Sequence, residues 1–138
     1  MRTCLVWLAL GMGCLAADSE SIAVRGKLME HQGKAAIETA ARKLIYLEGD
    51  EPTTGVIRDA RLRGSDFEAR GRFTAPDRFR IDPIHTRAIS VYKDGKPRLV
   101  TYWCETCGIR SWTPGKCWCC QEETALDLRD SETLPDTP

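Results

Sequence analysis

The run Ala88-Ile89-Ser90-Val91-Tyr92-Lys93-Asp94-Gly95-Lys96-Pro97-Arg98-Leu99-Val100-Thr101-Tyr102-Trp103-Cys104 decides how the rest of the chain is read. β-Branched and aromatic residues on both sides of Lys93-Asp94-Gly95-Lys96 mark two strands, Ala88 to Tyr92 and Arg98 to Trp103. Asp94-Gly95 supplies the positive backbone angles that a tight hairpin turn requires. The second strand runs directly into Cys104, so the sheet and whatever Cys104 belongs to form one rigid unit.

Working outward toward the N-terminus, residues 21–30 alternate, with Ile22, Val24, Gly26 and Leu28 on one side and Ala23, Arg25 and Lys27 on the other. That is the pattern of a half-buried strand. Gln32-Gly33-Lys34 reads as a turn. Residues 35–48 fit two patterns. Ile37, Ala40, Ala41, Leu44 and Ile45 make a helical stripe, yet two short strands around Ile37 and Leu44–Leu47 suit the neighbouring strands better and are preferred here. Glu48–Thr54 reads as a polar loop closed by Pro52, and Gly55–Leu62 as a short helix through Val56, Ile57, Ala60 and Arg61. Phe67, Ala69, Gly71 and Phe73 then share one face of an alternating segment, Ala75-Pro76-Asp77 breaks it, and Phe79 and Ile81 resume it up to Pro83.

About five short strands, a small helix between the third and fourth, and glycines inside strands make a mainly β chain built as a small β-barrel. The segment Leu62-Arg63-Gly64-Ser65-Asp66-Phe67-Glu68-Ala69-Arg70-Gly71, with the strands at 79–81 and 88–92, resembles small bacterial OB-fold domains across residues 21–103. The resemblance implies an OB-like barrel. It implies no single activity, because folds of this kind serve many roles.

Beyond the barrel the cysteines dominate. Cys104-x-x-Cys107 and Cys117-x-x-Cys120 are separated by nine residues, the second pair follows Thr113-Pro114-Gly115-Lys116, and Cys119 lies inside it. Four thiols in two such pairs can close a tetrahedron around one ion, and the spacing is that of a zinc ribbon with a short central loop. Each Cys-x-x-Cys turn aims backbone amides at sulfur, and Gly108 supplies the permissive residue after the first pair. Two disulfides are the competing reading, since neighbouring thiols oxidise outside the cytosol unless metal reaches them first. Trp103-Cys104-Glu105-Thr106-Cys107 also has the form of a thiol-disulfide active site, without the βαβ setting such a site requires. Cys119 is read as an accessory thiol, an exchangeable ligand or a reactive group.

Tyr102-x-Cys104, Pro114-Gly115-Lys116-Cys117 and Cys120 further resemble the short heavy-metal-binding domain of copper-efflux adaptors and some metal-transporting ATPases. The resemblance implies a metal knuckle over residues 104–123. Cys107 stands at that family's histidine position, and Thr106 and Glu122 replace its methionines. Losing these ligands disfavours monovalent copper and favours four-thiolate zinc.

Residues 1–17 carry Arg2 as their only charge, an apolar run from Cys4 to Leu15, and small residues before Asp18. This describes a secretory leader. Cleavage after Ala16 or Ala17 gives a soluble exported product, periplasmic or extracellular. Cys14 after Gly13 offers a lipoprotein alternative, the one route by which a membrane partner arises. Two of the seven cysteines, Cys4 and Cys14, belong to this leader. The remaining five lie between 104 and 120, an odd number for disulfide pairing. Residues 124–138, rich in acids and holding two prolines, read as a flexible tail.

The 20 basic and 20 acidic residues balance, which removes a global field toward nucleic acid. Arg58, Arg61, Arg63, Arg70, Arg72, Arg78, Arg80 and Arg87 are interleaved with acids. There is no nucleophile elbow and no phosphate loop, so no catalytic residue is assigned and an enzyme is disfavoured. Of the two histidines, His85 lies in a loop beside the hairpin; it could supply a ligand or hold the cysteines in place from behind, but an ordinary loop histidine is the preferred reading. Trp103, Trp112 and Trp118 are read as shielding the site or forming a docking surface. The sequence reading is therefore an exported metal-binding protein, with structural zinc on Cys104, Cys107, Cys117 and Cys120, acting as a binding or interaction module toward an envelope protein. A metal buffer or delivery protein and a thiol-disulfide protein are the alternatives.

Overall fold

The computed structural model describes residues 20–133. The leader over 1–17, with Cys14, Ala16 and Ala17, lies outside the described residues. The alternating segments become strands β1 (Ile22–His31), β2 (Lys34–Glu38), β3 (Leu44–Glu48), β4 (Asp66–Ala75), β5 (Arg78–Ile81), β6 (Ile89–Lys93) and β7 (Lys96–Cys104). Residues 35–48 form two strands, not a helix. Their alanines favour helix by intrinsic propensity, but β1 offers a pairing edge, and Ile37 pairs with Ile45 with both side chains buried. Tertiary burial outweighs the small propensity difference.

Strands β1 to β5 close on themselves. β1 pairs with β2, β2 with β3, β3 with β5 in parallel, β5 with β4, and β4 returns to β1. The helix α1 (Glu51–Ile57) and a 3-10 turn (Ala60–Leu62) connect β3 to β4. This is a closed five-stranded barrel whose interior holds Val24, Leu28, Ile37, Ile45, Leu47, Phe67, Phe79 and Ile81, with Val56, Ile57 and Leu62 packed against the same core. Closure brings backbones very near each other. A Cβ added at Gly71 would lie 2.0 Å from the Arg80 carbonyl oxygen of β5, so only glycine fits. Gly71→Val is expected to destabilise the fold by about 1–3 kcal/mol, measured as a lower urea midpoint. An unchanged midpoint would show that the barrel opens here without penalty.

Two segments differ from the sequence reading. Glu48–Thr54 is not a loop throughout, because α1 begins at Glu51. Asp50 caps it, accepting from the Thr53 amide at 3.0 Å, and Pro52 occupies the first turn, where its missing N–H costs nothing. The second correction concerns 124–138, expected to be a flexible tail. Ala125–Arg129 is a strand, β9, antiparallel to β7. Leu126 and Leu128 alternate toward the core, while Asp127 accepts hydrogen bonds from Arg110 at 2.7 Å and Arg129 at 2.9 Å. The acids that suggested a solvated tail are, at Asp127, ion-paired.

The β6–β7 hairpin turns on Asp94 and Gly95, both at positive φ, and β6 pairs with the first half of β4. A single-turn helix α2 (His85–Ala88) precedes it, and β8 (Ile109–Ser111) pairs with the end of β7. Val91, Val100 and Tyr102 join the barrel core. The strand that delivers Cys104 is therefore anchored in the same hydrophobic unit as the barrel.

Candidate metal centre

Cys104 is the last residue of β7 and is buried. The chain then reverses. The Gly108 amide donates to the Cys104 carbonyl at 2.9 Å with Gly108 at φ 64°, and the Cys107 amide donates to Cys104 Sγ at 3.4 Å. β8 leads away, and a loop over 112–116 crosses the barrel. His85 Nε2 donates to the Trp112 carbonyl at 2.8 Å, and Pro114 packs on α1, where a Cβ at Gly55 would meet its Cδ at 3.7 Å.

The second turn repeats the first. The Gln121 amide donates to the Cys117 carbonyl at 2.9 Å, and Gln121 takes the left-handed position at φ 64° that Gly108 fills in the first turn. A bridge between Lys116 and Glu123 closes its base. Thr124 donates to the Gly115 carbonyl through both its amide and its hydroxyl, and Arg61 Nη1 holds the Thr124 carbonyl at 2.8 Å. Thr106 Oγ1 donates to Glu122 Oε2 at 2.9 Å, linking the two turns directly.

These constraints bring the sulfurs of Cys104, Cys107, Cys117 and Cys120 within 4.8 Å of one another. Cys104 Sγ and Cys120 Sγ are 3.5 Å apart, and all five cysteines among the described residues are free thiols. A disulfide requires about 2.05 Å. Four sulfurs on a tetrahedral ion with bonds of about 2.3 Å stand about 3.8 Å apart. The donor set and its spacing fit an ion, and the cluster is compatible with metal binding.

The electrostatics agree. The amides of Cys120 and Cys119 point at Cys117 and bring its thiol down to about 7. At Cys104 the Cys107 amide acts in the same direction, but burial and the Cys120 and Cys117 thiols outweigh it and the net shift is upward. Cys107 is pushed up by the Cys119 thiol, then by burial and the remaining thiols. Crowded sulfurs resist becoming thiolates together, and a cation in their midst removes that resistance.

The structure brings the four predicted ligands together and leaves Cys119 exposed beside them. His85 acts at a distance: its recorded hydrogen bond goes to the loop that leads into the second turn, not to a sulfur. Trp118 is 75% exposed, so it shields nothing. Trp103 stacks under Arg110, whose guanidinium carbon is 4.9 Å from the ring centroid. Sequence reasoning missed the buttress behind Cys104. There Asp59, buried at the 3-10 turn, is opposed by its burial but held below the usual carboxylate range by Arg61 and the Arg61 amide. Burial, with Asp59 facing it, raises the Tyr102 hydroxyl. The Asp59-x-Arg61 spacing was the available signal.

Comparison with known proteins yields no match: no family model, no curated protein and no solved structure is significantly similar to this chain. What fold and site define is a mainly β protein with a closed five-stranded barrel and a four-cysteine cluster compatible with metal binding.

Proposed function

We propose that this chain is an exported protein in which one structural zinc ion, held by Cys104, Cys107, Cys117 and Cys120, locks a zinc-ribbon-like knuckle onto an OB-like barrel that serves as a binding or interaction module. One observation carries the reading: four sulfurs within 4.8 Å at the ends of two matched turns. Thiolate ligands without histidine or methionine suit zinc better than monovalent copper. When bound, the ion supplies the cross-link that a disulfide would otherwise provide, with no redox chemistry of its own.

Export follows from the leader over residues 1–17, and a pre-bound ion would protect the thiols from oxidation outside the cytosol. The thiol-disulfide reading finds less support. Trp103-Cys104-x-x-Cys107 spans a strand end and a β-turn instead of opening a helix, and Cys104, its leading thiol, is 2% exposed. For the interaction role, a cleft of about 570 Å³ lies between the β1–β2 turn, β3, α1 and the β4–β5 turn. Lys34, Tyr46, Glu48, Arg58, Asp77 and Arg78 line it, a mixed polar set suited to a protein or peptide surface more than to a polyanion.

Intact mass of the unreduced protein from the cell envelope tests the reading. A native mass one zinc above the chain, lost on denaturation with all thiols reduced, is the expected result. A chain lighter by the hydrogens of two disulfides and free of metal would overturn it.

A further inference from the structure

Most arginines among the described residues are ion-paired, as Arg25 is with Asp66, Arg63 with Glu30 and Arg98 with Asp130. Arg72, Arg78 and Arg80 are not. Among the described residues no carboxylate lies within ion-pair distance of these three, and none of them donates a side-chain hydrogen bond. β5 alternates, with Phe79 and Ile81 inside the barrel and Arg78 and Arg80 exposed. Arg72 of β4 is exposed directly opposite Arg80. Like charges directly opposite each other destabilise a sheet, and no ion pair offsets that cost here. The band continues into the cleft beside α1, where Arg78 stands with Lys34 and Arg58. Tyr46, the β3 neighbour of Arg78 in register, is held in that cleft by a 2.8 Å hydrogen bond between its hydroxyl and His31 Nδ1. Two acids interrupt the cations: Glu48, beside Arg80 on β3, and Asp77 in the β4–β5 turn. Both edges of β5 are already paired, with β3 and β4, so a partner meets this face through side chains and not as an added strand.

We propose that Arg72, Arg78 and Arg80, with the cleft beside them, bind an extended acidic peptide segment of a partner protein, which gives the interaction module proposed above its partner class and rests on that reading. Spacing and charge carry the choice. Arg78 and Arg80 are two residues apart on one face, about 7 Å along the strand. Arg72 lies about 5 Å from Arg80 on the next strand. Alternate side chains of an extended peptide repeat at the same distance of about 7 Å. Successive carboxylates at alternate positions therefore meet Arg78 and Arg80 in turn, and each guanidinium offers the two-pronged geometry that a carboxylate takes. The exposed ring of the cleft, Tyr46, packs against the stem of an acidic side chain entering beside Arg78. Glu48 and Asp77 repel a polymer that bears a charge on every unit, whereas a peptide that alternates acidic and neutral residues leaves room for them.

The test is fluorescence anisotropy of a labelled peptide of alternating Glu and Ser, titrated with the purified zinc-loaded protein at low salt. The triple variant Arg72→Gln, Arg78→Gln, Arg80→Gln is expected to bind about tenfold more weakly, as three exposed ion pairs of modest strength together imply. Added salt should weaken wild-type binding, and a peptide with Gln in place of Glu should not bind. A charge-matched control, Lys43→Gln, Arg87→Gln, Lys93→Gln, removes exposed cations elsewhere and should bind as wild type does. Equal weakening in both triple variants would reduce the effect to net charge and overturn the proposal, as would equal affinity for the Gln peptide. A single-stranded oligonucleotide or an anionic lipid vesicle that binds more tightly than the peptide, with the same dependence on the three arginines, would overturn the choice of partner. Peptide binding untouched by the first triple variant leaves a binding module in place and removes this surface. A zinc-bearing protein that ignores the peptide removes this inference alone, whereas a zinc-free protein that binds it through the three arginines removes the structural-zinc reading and keeps this one.

Discussion

Cys117→Ala is expected to abolish zinc binding and unfold residues 104–123 while the barrel stays folded. Cys117 is buried, its sulfur receives two backbone amides, and it leads the second turn. Cys119 does not replace it, because it is exposed and lies outside the four-sulfur group. The turns have almost no apolar core of their own. Trp118 is exposed, and a handful of hydrogen bonds from backbone groups and from Thr106 and Thr124 closes the turns. Coordination therefore supplies most of the knuckle's stability, and apparent ion-binding free energies for such small sites are about 10–16 kcal/mol. Two measurements check this. Zinc content should fall from one per chain to none, and tryptophan emission should shift to the red as Trp103 and Trp112 lose their packing. Far-ultraviolet circular dichroism should keep its β signature, because β1–β5 share a core that contains no cysteine. A variant that retained full zinc would remove Cys117 from the ligand set.

Phe67→Ala should have the largest effect on the barrel itself, a loss of about 3–5 kcal/mol. Phe67 is fully buried near the start of β4, between Gly26 of β1 on one side and Val91 of β6 on the other. Gly26 contributes no side chain, and a Cβ there would meet the Glu38 carbonyl oxygen at 2.2 Å. The phenyl ring therefore fills space that three strands leave open, and nothing adjacent can collapse into the cavity. Urea denaturation should show a lower midpoint with a nearly unchanged slope. A loss below about 1 kcal/mol would mean that the core relaxes around the gap and is packed less tightly than its burial implies.

How much of this was legible in the chain depends on the range of the interactions involved. Alternation over 21–30, 67–73 and 88–103, and the Asp94-Gly95 turn, are local patterns, and each became the expected strand or turn. The two Cys-x-x-Cys pairs were equally plain. The start of α1 was masked because Pro52 reads as a loop residue until Asp50 is recognised as its cap. β9 was masked by its acids. Only the positions of Arg110 and Arg129 show that Asp127 is ion-paired, and only β7 gives Leu126 and Leu128 something to cover.

The sequence by itself determined the elements that depend on neighbours along the chain: strand periodicity, hairpin turns, and the pairing of thiols two by two. The tertiary structure decided what depends on distant partners. It set the closure of β1 against β4, the meeting of two turns thirteen residues apart at one point, and the burial of Cys104 and Cys117 with Cys119 left outside. The physical reason is that φ/ψ preference and alternation act over a few residues. Which sulfurs share a cavity, and which of them water can reach, follows from how the strand carrying Cys104 is anchored in a core assembled from the whole barrel.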